Sequence, residues 1–512
     1  MPSKKIPLTV LLILDGWGLG PRDETNAIFR AHPANMDRYM KDYGYAVLGA
    51  SGAAVGLPAG QDGNSEAGHI NIGAGRIVEQ DSVSISRAIS DGRFFKNPAL
   101  MQAVKHVKKN KSRMHIMGLL SNGQSAHSHP DHLMALLLFC QHHGLRDVAA
   151  HLFTDGRDSP PYSALKLLRK YHSVLFSSAS VATVIGRAYA MDRKKDWSRT
   201  EVAYNAMVLG KGAYTASSAE DAIVHAYNRG ETDEFILPTI IQAGGKPVAT
   251  IGNNDSVIFF NLRSDRARQM AKPFVQANFE QENPHSFKRA KVLKNLFFVA
   301  MTDFGPDLDS ILTAFPSRDV VDTLPMLLKS YRQLYIAESE KYAHMTFFFN
   351  GGYDAPVAGE HRVLVPSPNV LSYAGTPHMA LGLITKKVIT AINVGRFDFI
   401  AANISNADMI AHTGNMDATI KAVKYTDGCI GKIVDAVLAK NGMVMITADH
   451  GNAEELINKK TQQIDTEHST NPVPCIVIGR GTKNQLRTKG ILADIAPTLL
   501  DLWGISKPDL MT

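Results

Sequence analysis

The stretch Ile446-Thr447-Ala448-Asp449-His450-Gly451-Asn452 carries an apolar run into two metal-ligating side chains and a glycine turn. Such a run reads as a buried strand, and its exit into Asp449 and His450 puts chemistry just beyond the strand's carboxyl end. The pattern recurs three more times. Leu8 to Leu14 runs into Asp15, Phe397 to Ile404 leads to Asp408 and then His412, and Thr466-Glu467-His468 precedes the strand-like Pro474 to Ile478. Functional groups of open α/β sheets collect beyond the carboxyl ends of parallel strands, so these acids and imidazoles point to one site.

The remainder of the chain alternates in the same way. Strands are expected at His115 to Leu120, Val148 to Phe153, Val181 to Ile185, Ser256 to Asn261, Asn295 to Met301, Gln333 to Ala337 and Met443 to Thr447. Between Met416 and Lys440, apolar Ile420, Val423, Ile430, Val434 and Val437 recur at helical spacing, and Asn441-Gly442 closes the segment, which predicts a core-facing helix. The fold class is therefore α/β with largely parallel sheets.

Taken singly, an Asp after a strand is usually a turn former and a His usually structural. Together they are harder to dismiss. Asp408 and His412 are spaced to share one helix face, and His468, Asp449, His450 and Asp15 complete two coordination spheres. Carboxylates mixed with imidazoles favour Mn²⁺, Zn²⁺, Co²⁺ or Mg²⁺ over copper or calcium. A candidate nucleophile lies in Gly60-Gln61-Asp62-Gly63-Asn64-Ser65-Glu66-Ala67-Gly68-His69. Serine at such a place commonly caps a helix; beside a divalent metal Ser65 becomes a phosphoryl acceptor, and the whole set suits a two-metal phosphoryl site better than a structural zinc.

These ligands fall near the two ends of the chain, which predicts a second domain inserted into the first. The expected boundaries are residues 1–79 with 315–512 and an insert of 80–314, joined near Val78 to Ser82 and Ser310 to Arg318 by paired linkers that would act as a hinge. The insert carries its own constellation: Asp155-Gly156-Arg157-Asp158, Gly186-Arg187, Met191-Asp192-Arg193 and Asn261-Leu262-Arg263-Ser264-Asp265-Arg266. A single surface arginine is generally just solvated. Five in loops on one side of a sheet favour an anion pocket, since each charge-assisted hydrogen bond to phosphate or carboxylate contributes about 1.5–3 kcal/mol. Asp158 is a candidate acid or base among them and His127 a candidate phosphate ligand, while His129 and His132 default to structural roles.

Composition bounds the rest. At 512 residues with 45% hydrophobic and 20% charged side chains, the chain has material for two cores and the profile of a soluble enzyme. It holds no apolar run of about 18 residues, and Leu8 to Leu14 is too short for a secretory signal, so a cytoplasmic protein without a membrane partner is expected. Cys140, Cys429 and Cys475 lack metal-type spacing and read as buried free thiols. The net charge of +7 fits an anionic small substrate better than nucleic acid, because the one compact basic run, Lys105 to Arg113, lacks interleaved aromatics.

At these residues the chain resembles the cofactor-independent (2,3-bisphosphoglycerate-independent) phosphoglycerate mutases of the alkaline phosphatase-like superfamily. The likeness runs from Ile13-Leu14-Asp15-Gly16-Trp17-Gly18 to Leu492-Ala493-Asp494-Ile495-Ala496-Pro497-Thr498. It includes Gly63-Asn64-Ser65-Glu66, Asp155-Gly156-Arg157-Asp158, Ala190-Met191-Asp192-Arg193, Ser339-Glu340-Lys341-Tyr342-Ala343-His344 and Thr447-Ala448-Asp449-His450-Gly451-Asn452-Ala453-Glu454. The resemblance implies an alkaline phosphatase-like domain interrupted by an α/β phosphotransferase domain. It implies one manganese on Asp408, His412 and His468 and another on Asp15, Ser65, Asp449 and His450. Substrate would be held by His127, Arg157, Asp158, Arg187, Arg193, Arg263, Arg266 and Lys341. The implied reaction is the interconversion of 3- and 2-phosphoglycerate, an isomerase step of glycolysis and gluconeogenesis, through phosphoserine at Ser65 with Asp158 and Lys341 as catalytic groups, in a monomer needing no 2,3-bisphosphoglycerate. A metal-dependent phosphatase or another phosphomutase of the superfamily is the alternative.

Two departures from the family pattern stand out. The loop Ser121-Asn122-Gly123-Gln124-Ser125-Ala126-His127-Ser128-His129 is one residue longer than the usual Ser-Asp-Gly-Gly-Val-His-Ser-His, and Ser264 replaces a proline between Arg263 and Asp265.

Overall fold

A computed structural model describes the chain apart from residues 1–5, 306, 309–310, 317–319, 371, 459–461, 480 and 483–485. It divides into two compact units, Met1–Gln80 with Asp319–Thr512, and Asp81–Arg318. Of the second expected linker, residues 310 and 317–318 lie outside the described residues.

The first unit is built on an eight-stranded sheet. In spatial order its strands are His361–Val365, Gln333–Glu338, Phe399–Ile404, Thr9–Leu14, Met443–Thr447, Val473–Ile478, Ala46–Gly49 and Lys489–Ile491. The first five are mutually parallel, and Thr9–Leu14 pairs in register with both Phe399–Ile404 and Met443–Thr447. All six of its residues are buried, which is why it reads as a continuous apolar run: a central parallel strand is covered on both faces. Val473–Ile478 runs antiparallel to Met443–Thr447. Its leading residues thus emerge at the edge where the parallel strands end, which brings His468 to the same edge as Asp15, Asp408 and Asp449.

Helix Met416–Leu438 covers this sheet with Val423, Ile430, Ile433, Val434 and Val437 buried in the core. Asn415 caps it by accepting from the Ala418 amide at 2.9 Å. It stops where Asn441 turns left-handed (φ 53°) and the Gly442 amide bonds back to the Val437 carbonyl.

The second unit carries a sheet in the order Leu312–Thr313, Phe297–Ala300, Ser256–Phe259, Met114–Leu119, Val148–Thr154, Ser180–Gly186, Thr239–Ala243 and Tyr214–Ala216, with Lys246–Pro247 paired to Thr239–Ala243. Its first six strands are parallel, so their carboxyl ends share one edge. Cys140, Cys429 and Cys475 are buried free thiols, and among the described residues no helix is long and apolar enough to cross a membrane.

Candidate active site

In the first unit Asp15 follows Thr9–Leu14, Asp449 and His450 follow Met443–Thr447, and Asp408 lies on the short helix Asn406–Ala411 beyond Phe399–Ile404. Ser65 opens helix Ser65–Ala74, but it does not cap it. Asn64 is the cap, accepting from the Ala67 amide at 2.8 Å, which releases the Ser65 hydroxyl for other partners. The helix reaches the Asp449 turn because of Gly68: a Cβ there would stand 2.5 Å from the Asp449 carbonyl oxygen.

These residues form two triangles of donor atoms. Asp408 Oδ1, His412 Nε2 and His468 Nε2 are separated by 3.2, 3.4 and 3.1 Å. The Nδ1 atoms of both rings face backbone carbonyls, Thr466 at 2.7 Å and Gly63 at 2.9 Å, so both donate there and leave the Nε2 lone pairs converging on the carboxylate. Ligand bonds of about 2.1 Å to one ion produce edges of about 3.0 to 3.4 Å, so this triangle has the dimensions of a coordination face. The second triangle, fully buried, consists of Ser65 Oγ, His450 Nε2 and Asp15 Oδ1, with edges of 2.9, 3.4 and 3.2 Å. Asp449 Oδ2 lies 3.6 Å from His450 Nε2.

Lys341 joins the two. Its ammonium donates to Asp15 Oδ1, Ser65 Oγ and Asp408 Oδ2, each at 2.7 Å. Burial lowers its pKa, but Asp15, Asp408 and Asp449 more than offset that and hold it well above the ordinary lysine range. Burial likewise opposes a charged His450, yet Asp449, Asp15 and Asp408 lift its pKa to about 9. The donor set, with its buried carboxylates and the Nε2 lone pairs directed at them, fits divalent cations.

The second unit gathers the arginines at the carboxyl edge of its sheet. Asp155 Oδ1 accepts from the Asp158 amide at 3.1 Å and from the Arg187 guanidinium, and buried Arg187 also donates to Asp158 Oδ2 at 2.8 Å. Arg193 pairs with Asp265 at 2.8 Å, Arg263 with the same carboxylate at 3.3 Å, and Arg157 with Glu234 at 3.5 Å. Arg266 donates to the Met191 carbonyl at 3.2 Å and, among the described residues, forms no ion pair. Burial, then Arg187, Arg193 and Arg157, depress its pKa. His127 is buried against them; desolvation outweighs Asp265 and, with Arg187 and Arg263, lowers its pKa to about 3, so the ring is neutral. Ser264, where the family pattern has proline, takes the first position of helix Ser264–Val275.

Lys341, expected among the substrate residues, thus sits within the first unit between the two triangles, and the other seven substrate candidates lie in the second unit. His129 caps helix Pro130–His142, and buried His132 bonds Ser86, as structural residues do. Sequence reasoning missed Ser125, whose hydroxyl donates to Asp158 Oδ2 at 2.7 Å and accepts from the His127 amide at 3.2 Å. It sits in the lengthened loop, which was the available signal. Sequence reasoning also passed over Asn452, which donates to Asp408 Oδ1 at 2.9 Å, although it stood in the opening motif.

The family profile described as "BPG-independent PGAM N-terminus" matches residues 85–306, and a "Sulfatase" profile matches residues 327–505. A 2,3-bisphosphoglycerate-independent phosphoglycerate mutase of Acetivibrio thermocellus is 47% identical over 512 residues, covering 99% of this chain and 98% of its own. The chain belongs to the 2,3-bisphosphoglycerate-independent phosphoglycerate mutases. The Clostridium novyi member of this mutase family is 48% identical, with 98% of each chain covered. A crystal structure of Leishmania mexicana phosphoglycerate mutase at low cobalt concentration superposes with a TM-score of 0.78 and 28% identity over 100% of this chain and 99% of that one.

Proposed function

We propose that the protein interconverts 3-phosphoglycerate and 2-phosphoglycerate as an isomerase of glycolysis and gluconeogenesis, with Ser65 carrying the phosphoryl group between the two positions. The observation that carries this reading is the Ser65 hydroxyl, freed from capping, at the corner shared by Lys341, Asp15 and His450. Asp408, His412 and His468 would hold one divalent ion, most naturally Mn²⁺, and Asp15, Ser65, Asp449 and His450 a second. When bound, these ions supply Lewis-acid stabilisation of phosphoryl charge and lower the pKa of the serine hydroxyl.

In the forward direction the Ser65 oxygen, ionised with its proton lost to solvent, bonds phosphorus as the bond to the glycerate 3-oxygen breaks. Asp158, a carboxylate at rest that takes up a proton from solvent with the substrate, gives that proton to the 3-oxygen, then takes the proton of the 2-hydroxyl as the 2-oxygen attacks phosphoserine and Ser65 leaves as the alkoxide. Lys341 offsets charge on the moving phosphoryl, while His127, Arg157, Arg187, Arg193, Arg263 and Arg266 retain the anionic glycerate. On this reading residues 1–79 with 315–512 form the metal-binding domain and 80–314 the substrate domain, in a cytoplasmic monomer whose partner is a small phosphorylated acid.

Stripping metal with a chelator should abolish turnover of 3-phosphoglycerate in a coupled assay free of 2,3-bisphosphoglycerate, and Mn²⁺ should restore it. Full activity in the stripped protein would overturn the two-metal reading. Ser125→Ala tests the role of Asp158. Burial raises the Asp158 pKa, but Arg187 and the Ser125 hydroxyl hold it below the ordinary range. Losing a donor to the charged form raises that pKa, so the limb of the kcat profile that Asp158 sets should move to higher pH. An unmoved limb would remove Asp158 from the proton transfers.

A further inference from the structure

His69, on helix Ser65–Ala74, and Asn403, on strand Phe399–Ile404, are both fully buried beside the second triangle. Proximity alone admits His69 as a metal ligand, since one of its ring nitrogens groups with carboxylate oxygens of Asp15 and Asp449 within 4.8 Å. Hydrogen-bond direction argues otherwise. His69 Nδ1 lies 2.9 Å from the Ser65 carbonyl and 3.2 Å from Asp449 Oδ2. Both are acceptors, so Nδ1 carries the proton.

The other ring nitrogen is 3.1 Å from Asn403 Nδ2, which also donates to Asp15 Oδ2 at 2.6 Å. Turning the amide over would aim its carbonyl at the Asp15 carboxylate, so the NH₂ group faces both neighbours and His69 Nε2 accepts. Neither nitrogen of His69 keeps a lone pair for a metal. His412 and His468 share the Nδ1 arrangement, each facing a backbone carbonyl, and differ at Nε2, which in both points at the Asp408 carboxylate.

We infer that His69 and Asn403 are positioning residues, a neutral imidazole–amide strut linking Asp449 to Asp15. Asn403 occupies Asp15 Oδ2 and so turns Oδ1 toward Ser65, Lys341 and His450. His69 Nδ1 bonds the Ser65 carbonyl in the first turn of its helix and sets the ring edge 3.2 Å from the Asp449 carboxylate. The inference rests on the two-metal reading above. Partners of this kind tune metal affinity by about 10- to 100-fold without touching the ion.

The test is titration of metal-stripped protein with Mn²⁺, following free Mn²⁺ by electron paramagnetic resonance, in the wild type, Asn403→Leu and His69→Gln. The expected result is two ions in the wild type. In each variant one ion should keep its affinity and the other weaken by about 10- to 100-fold. Wild-type binding of both ions in the two variants would overturn the strut. So would equal weakening of both ions, the mark of general structural loss. Loss of one ion in His69→Gln with full binding in Asn403→Leu would make His69 a ligand instead. Fewer than two ions in the wild type would overturn the two-metal reading itself, which separates that failure from failure of the strut.

Discussion

Ser65→Ala should lose mutase turnover by a factor on the order of 10⁴ or more while keeping its fold, because the substitution removes the atom that forms the covalent bond and with it one proposed ligand of the second ion. The helix does not depend on that hydroxyl, since Asn64 supplies the cap. Its partners, Lys341 Nζ at 2.7 Å and His450 Nε2 at 2.9 Å, remain tied to Asp15 and Asp408. The check is the coupled assay beside a thermal melt: a melt close to the wild type with turnover gone is the expected pair. Retained turnover would mean that the phosphoryl group takes a route that bypasses Ser65.

Lys341→Met should show two separate losses. The rate should fall by about 10²- to 10³-fold, the usual cost of removing one preorganised group from a developing anion. Metal-stripped protein should also lose about 3–5 kcal/mol of stability, because Asp15 and Asp408 are buried and would face each other without the ammonium that now bridges them. The pH dependence has a definite sign. Lys341 has a folded-state pKa above its unfolded value of about 10.4, so its contribution is fully present below that pH and is lost only as pH rises through the folded value. The difference in melting temperature between wild type and variant should therefore stay flat from about pH 6 to pH 8, below the His450 pKa of about 9. A difference that shrinks across that range would mean that the lysine is not the buried cation of the site.

The central strands were the most legible part of the chain. Thr9–Leu14, Val148–Thr154 and Met443–Thr447 are buried along their whole lengths, so their apolar runs stand out without any periodicity. Edge strands such as Tyr214–Ala216, His361–Val365 and Lys489–Ile491 are short and half-exposed, and nothing in their composition separates them from loop. The metal candidates were legible because each follows or precedes a recognisable strand. His468 was readable only as a neighbour of Pro474 to Ile478; that it joins Asp408 depends on the antiparallel direction of that strand, which its residues do not encode.

Ser65 is the instructive case among the site residues. Its sequence context supports a helix cap as readily as a nucleophile, and the choice turns on whether Asn64 or Ser65 takes the capping geometry. Asn403 and His69 were invisible for another reason. An amide inside an apolar strand and an imidazole inside a glycine-rich helix carry no pattern of their own, and their meaning lies in which hydrogens they direct at Asp15 and Asp449.

The most direct measurement is phosphorus NMR of 3-phosphoglycerate incubated with metal-stripped protein, with and without Mn²⁺, in the absence of 2,3-bisphosphoglycerate. The account predicts a manganese-dependent 2-phosphoglycerate resonance rising to equilibrium with no inorganic phosphate. Inorganic phosphate appearing in step with substrate loss would contradict it and make the protein a phosphatase.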